Sequence, residues 1–320
     1  MRSAWRRLAR YLSILSNGKP LSFGGTSLLS VGLVLAFADG SETVDAQEYS
    51  AYADPEKPVI SVILSDEGNV EEFRSTFGLG DEQMEDVLAA LRKENETLAR
   101  AHAESEQIVE SNAGLPDEQI RGKISASDYD ERVRAAVAET KSKIESLLPE
   151  SQRSELEAWV NAKFAQAELE LTEGTVTARR VGTTRGRGVS CKVFATQYNG
   201  YTRYEVALPH RRLKERGGFR VSIRRGEHRT RAPVKEVGPW NLRDNYWQPR
   251  RHRDMWRNLP RCTPEAEAAY FHNYHRGRDQ FGRKVLNPAG VDLTPRVAHR
   301  LRLKRYQNAW VYVRFPWARG

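Results

Sequence analysis

Directly after Gly238-Pro239 the chain sets Trp240, Asn241, Asp244, Asn245, Tyr246 and Trp247 close together. Rings beside amides and a carboxylate suit a sugar, whose apolar face stacks while its hydroxyls hydrogen-bond. The same rings also suit packing a long loop onto its domain, and for Trp240 and Trp256 that reading is at least as good. His272 and His275 have the spacing of half a metal site, but no third ligand accompanies them, so they read as surface histidines. Cys191 and Cys262 allow one disulfide in an exported protein, or two thiols. Two cysteines alone make no structural zinc site. The Arg/Gly-rich tract from 172 to 188 reads as a linker, with polyanion binding as the alternative.

These residues need elements to position them. Val189 to Phe194, Tyr204 to Leu208, Phe219 to Ile223, Ala232 to Val237 and Ala309 to Phe315 are short apolar runs between turn signals, the pattern of strands. Asn199-Gly200 is a strong turn signal. A long polar stretch, 241–290, interrupts them, with a short helix expected over 264–274. Insertions of that length are usually functional or a lid. Before residue 172 the pattern is helical. Met84, Val87, Leu88, Leu91 and Leu98 recur at helical spacing from Asp81, with inward residues to Ile108 and Val109. Gly114-Leu115-Pro116 breaks the run and Asp117-Glu118 restarts it. A second helix is expected over 127–148, and a third after Pro149-Glu150 with Leu156, Trp159, Val160, Phe164 and Leu169 inward. The Glu-rich faces read as solvated surface. Pro58 to Leu64 is an apolar run that suits a strand or buried extended piece.

Net charge divides the chain. Residues 1–38 carry +5, residues 39–174 carry −19 and residues 175–320 carry +23. A domain at +23 attracts polyanions, or its own acidic neighbour. The first 38 residues hold five basic residues and no acid, then an apolar run from Thr26 to Ala38 ending in small residues. This reads as a signal peptide cut near Ala38, or as an uncleaved N-terminal anchor. The expected location is secreted or envelope-associated.

Five segments then appear in order: Ala207-Leu208-Pro209, Gly218-Phe219-Arg220-Val221, Pro233 to Pro239, Val291-Asp292-Leu293-Thr294-Pro295, and Trp310-Val311-Tyr312-Val313. Together they resemble the double-psi β-barrel of the rare lipoprotein A and expansin families over residues 189–317. The resemblance implies a six-stranded barrel with Asp292 at its mouth, before a helix begun by Thr294-Pro295. It also implies a general-acid role for Asp292 in lytic members. Departures are present: Glu236 stands where the family has aspartate before Gly-Pro, and Val237 stands where it has arginine. His210 is displaced from the family's histidine.

The resulting expectation is an α+β protein: an N-terminal helical hairpin or bundle followed by a six-stranded double-psi β-barrel with a long insertion. Its segments are a signal or anchor (1–38), a flexible leader (39–80), an acidic helical domain (81–171), a linker (172–188) and the barrel (189–317). The leading function is binding of cell-wall glycan or another anionic polysaccharide through Glu236, Trp240, Asn241, Asp244, Tyr246 and Trp247. Lytic cleavage by Asp292 is the first alternative and non-specific nucleic-acid binding the second. Expected partners are wall glycan or an anionic wall polymer, and an envelope protein for the helical segment. No small-molecule cofactor is expected.

Overall fold

The computed structural model describes residues 50–181, 188–305 and 307–318, with side chains of the long helix described through Leu169. The expected export segment and residues 39–49 lie outside the described residues. Helices fill the first half: α1 (Val59–Ile63), α2 (Glu67–Phe77), α3 (Asp81–Ser111), α4 (Asp117–Ser125), α5 (Tyr129–Leu147) and α6 (Glu150–Val181). The Asp66 carboxylate caps α2 by accepting from the amides of Gly68 (2.9 Å) and Asn69 (3.2 Å). Gly78, at φ 62°, ends it in the left-handed region. Helices α3 and α5 pair through Val87, Leu91 and Leu98 against Val133, Val137 and Ile144, all buried.

Four expectations are corrected here. Residues 50–80 are not a flexible leader: they form α1 and α2, and Phe73 and Phe77 are buried against Trp159 of α6. Pro58 to Leu64 is not extended. Val59, Ile60, Ile63 and Leu64 are buried among helices, and helical bonds such as Leu64 N–H to Ile60 O (2.8 Å) satisfy the backbone locally. Tertiary burial has overridden the β-preference of the branched side chains. The linker expectation fails over 172–181, where α6 continues to Val181; residues 182–187 lie outside the described residues. Leu169 also faces out, at 57% exposure.

The second half is a closed, mixed barrel of six strands. They are β1 (Val189–Gln197), β2 (Val206–Leu208), β3 (Arg220–Arg225), β4 (His228–Val237), β5 (Ala289–Leu293) and β6 (Ala309–Phe315). Around the barrel the order is β1-β5-β2-β4-β3-β6, with β1·β5 and β2·β4 parallel. Strand β5 is legible in the sequence only through the family resemblance. Asn199-Gly200 lies in the irregular stretch between β1 and β2 and joins no hairpin, because β1 pairs with β5 and β6. Two short helices flank the strands, α7 (Arg211–Arg216) after β2 and α9 (Pro295–Arg300) after β5.

The insertion between β4 and β5 is built as a bracket. It carries helix α8 (Glu265–His272). A disulfide joins Cys262 to Cys191 on β1. Fully buried Arg253 binds Asp244 Oδ1 through Nε (3.0 Å) and Nη2 (2.7 Å), and its other donors meet Pro260 O and Thr263 O. The other side of the bracket belongs to the helices. Trp240, Ala266, Ala269, Tyr270, Phe271, Val285 and Leu286 share one hydrophobic core with α1–α6. Ion pairs Arg243–Asp117, Arg278–Asp130 and Lys304–Glu67 cross the same boundary. The described parts of the acidic and basic halves therefore fall in one compact unit.

Candidate functional site

Alternation along the strands decides which side chains leave the barrel core. Ala195, Val206, Leu208, Val291 and Leu293 point inward. Their neighbours Thr196, Asp292 and Ala207 consequently share the outer face, and Glu236 joins them through a shift of register, since Val206 opposes Val234 and the next residue, Ala207, opposes Glu236. The register puts them in one row across four strands: Thr196 opposes Asp292, Asp292 opposes Ala207, and Ala207 opposes Glu236. The small Ala207 leaves space between the two carboxylates. Gly238, at φ 140°, passes close over the row. A Cβ there would lie 3.7 Å from Asp292 Oδ2.

Asp292 is partly buried and accepts a hydrogen bond from Thr196 Oγ1. Burial pushes its carboxyl up to about 7; the Thr196 bond opposes this and the negative charge of Glu106 on α3 adds to it. Thr294 caps α9 in position only. Its hydroxyl serves the backbone of Glu205 instead, accepting from Glu205 N–H (3.0 Å) and donating to Glu205 O (2.9 Å).

Glu236 Oε1 accepts from Lys214 on α7, while its buried Oε2 meets no donor among the described residues. The Lys214 ammonium lies 5.4 Å from the Tyr201 ring, and Tyr201 is 85% exposed, a bare aromatic at the lip of the row. Tyr198 donates to buried Glu205 (3.3 Å). Its phenol is held protonated by burial and by the charges of Glu205, Asp292 and Glu236. Gly200 is required here, since a Cβ would come within 2.5 Å of Glu205 Oε1 and 2.8 Å of Thr294. From the helical half, His102 pairs with Glu106 (3.2 Å) and stacks edge-on to Trp240 (4.7 Å). Helix α3 thus brings the charge of Glu106 within electrostatic reach of Asp292.

The residues expected from the sequence separate into two groups. Asp292 and Glu236 come together. Asn241, Asp244, Tyr246 and Trp247 do not join them, which corrects their assignment as ligand contacts. Asn241 donates to Glu265 (2.7 Å). Asp244 holds Arg253. Tyr246 donates to Gly290 O (2.9 Å). Trp247 stacks on Phe315 (4.8 Å). All four are buried, and the two rings belong to the barrel's own hydrophobic core. Trp240 is buried too, against His102 of α3. His210 bonds Asp254 (3.0 Å), outside the row. His272 pairs with Glu168 and His275 with Arg278 O, apart from each other's partners. Among the described residues no cluster of three or more His, Cys, Asp or Glu is placed to hold a metal ion.

Sequence reading missed Thr196, Tyr198, Tyr201, Lys214 and Glu106. Tyrosines on either side of Asn199-Gly200 were the available signal for two of them. Chemically, the groove offers a carboxyl that keeps its proton near neutrality, a second carboxylate with an unfilled acceptor, an ammonium and an exposed ring.

Residues 174–314, the barrel with its insertion, match a family described as a domain of unknown function (DUF8814). No curated protein and no solved structure matches the chain.

Proposed function

We propose that this is an exported cell-envelope protein whose barrel, of double-psi type, binds wall glycan in the groove between Asp292 and Glu236. The barrel type is supported by six strands with two parallel pairs and by Asp292 standing just ahead of the Thr294-Pro295 helix start. The disulfide supports an oxidising compartment. The observation that carries the reading is the outward row of Asp292, Ala207 and Glu236 with Tyr201 and Lys214 at its edge. Carboxyls would bond sugar hydroxyls and the exposed ring would stack on a sugar face. Purified cell wall is expected to retain the full-length protein at physiological salt. Tyr201→Ala and Glu236→Gln are each expected to weaken retention about tenfold, a loss of roughly 1.4 kcal/mol. No retention even at low salt defeats the reading.

Asp292 favours a second reading, lytic cleavage of that glycan. A buried carboxyl near 7 is suited to protonate a leaving oxygen. Soluble muropeptide release should then fall above about pH 7, and Asp292→Asn should lower it at least ~100-fold. Binding without release at any pH leaves the protein a binder.

A further inference from the structure

We infer that the arc of the barrel opposite the groove is a second binding surface, for a linear phosphodiester polymer of the envelope. The groove lies on β5 and β2; across the closed barrel stand β3 and β6. Ile223, Val221, Ala232 and Val313 of this arc point into the core. Alternation sends Arg220, Ser222 and Arg224 of β3 outward, with Arg229 and Arg231 of β4 and Tyr312 and Arg314 of β6.

The register makes this more than a basic composition. Arg224 directly opposes Arg229, and Ser222 is flanked by Arg231 and Arg314. Like charges placed opposite each other on neighbouring strands oppose folding. Arg220, Arg224, Arg229 and Arg231 are exposed and pair with no carboxylate among the described residues. The Arg224 guanidinium is held 4.6 Å over the Tyr312 ring, which keeps it extended on the sheet surface. Between Gly218 and Lys235 the single acid is Glu227, in the turn at the hairpin's tip. Outward residues recur about every 7 Å along a strand and neighbouring strands lie about 4.8 Å apart. A grid of guanidiniums at that pitch suits many phosphates presented in series.

The occupant follows from the rest of the molecule. The Cys191–Cys262 disulfide lies in the same barrel and suits an oxidising compartment outside the cytoplasm, away from nucleic acid, so the linear polyanion matched to this face is a phosphate polymer of the envelope. This choice rests on the envelope location proposed above, but not on the groove or on Asp292.

The test uses the full-length protein and purified poly(glycerol phosphate), titrated at several salt concentrations. Arg224→Glu with Arg229→Glu is expected to weaken binding at least tenfold and to reduce the slope of log affinity against log salt by about two. Arg224→Lys with Arg229→Lys should retain most of the affinity, which separates lost charge from lost fold. Asp292→Asn should bind the polymer as the wild type does. Unchanged affinity in the charge-reversed protein overturns the inference. So does equal weakening by Asp292→Asn, or tighter binding to single-stranded DNA of matched charge. Polymer binding that persists while cell-wall glycan is not retained overturns the groove reading alone.

Discussion

Asp292 and Glu94 make stability depend on pH in one direction. Burial raises Asp292 to about 7 and Glu94, bonded to Ser61 and Thr140, to about 8. The folded protein therefore keeps protons that the unfolded chain releases at ordinary carboxyl values near 4. Stability is full below those values and declines as pH rises through about 4 to 8. Urea unfolding of the wild type is expected to give a lower midpoint at about pH 8 than at about pH 5. Glu94→Gln should gain about 1–3 kcal/mol over the wild type at the higher pH and little at the lower. A stability that climbs over this window would contradict the burial argument. Asp292→Asn should show the same sign, and if it also abolishes function the groove has retained a carboxyl at a cost in stability.

The insertion, at the scale of elements, is a clamp rather than a lid. Its disulfide closes a separation of 71 residues between Cys191 and Cys262. Reduction, or Cys191→Ser with Cys262→Ser, is expected to cost about 4 kcal/mol in denaturant unfolding through the entropy returned to the unfolded chain. Arg253 and Asp244 hold the same segment without solvent. Arg253→Met strands the Asp244 carboxylate and should cost about 3–5 kcal/mol, read from the same unfolding curves. A loss below 1 kcal/mol would mean that the clamp relaxes around the gap.

At the scale of the whole molecule, helices and barrel share a core, so they should unfold together. Calorimetry of the full-length protein is expected to show the helical and barrel signals lost in one transition. Residues 174–320 expressed alone would expose Trp240, Tyr270 and Phe271, and should bind a hydrophobic dye and aggregate. A soluble, monomeric barrel with native far-ultraviolet dichroism would show that the helices are dispensable for its folding. The acidic half does balance the basic one in part, through Asp117, Asp130 and Glu67, but each such surface pair contributes little. Its larger effect is geometric, because α3 brings His102 against Trp240 and the charge of Glu106 within reach of Asp292.

Local pattern determined a good deal of this. The apolar periods of α3, α5 and α6, the break at Gly114 to Pro116, and the alternation in β1, β3, β4 and β6 are short-range signals set by which face meets a core. Asp292 and Glu236 were legible through their positions beside Thr294-Pro295 and Gly238-Pro239. The rest depended on distance along the chain. Whether an aromatic stacks on a ligand or on Phe315 is settled by what the fold brings opposite it, and burial claimed Tyr246 and Trp247. The apolar run at Val59 reads as strand until α3 and α6 surround it. The candidate site joins β1, β2, β4 and β5 with α3 and α7, elements whose neighbours lie up to about two hundred residues away. Side-chain type and spacing record what each residue can do; only closure of the barrel and docking of α3 decide which of them meet.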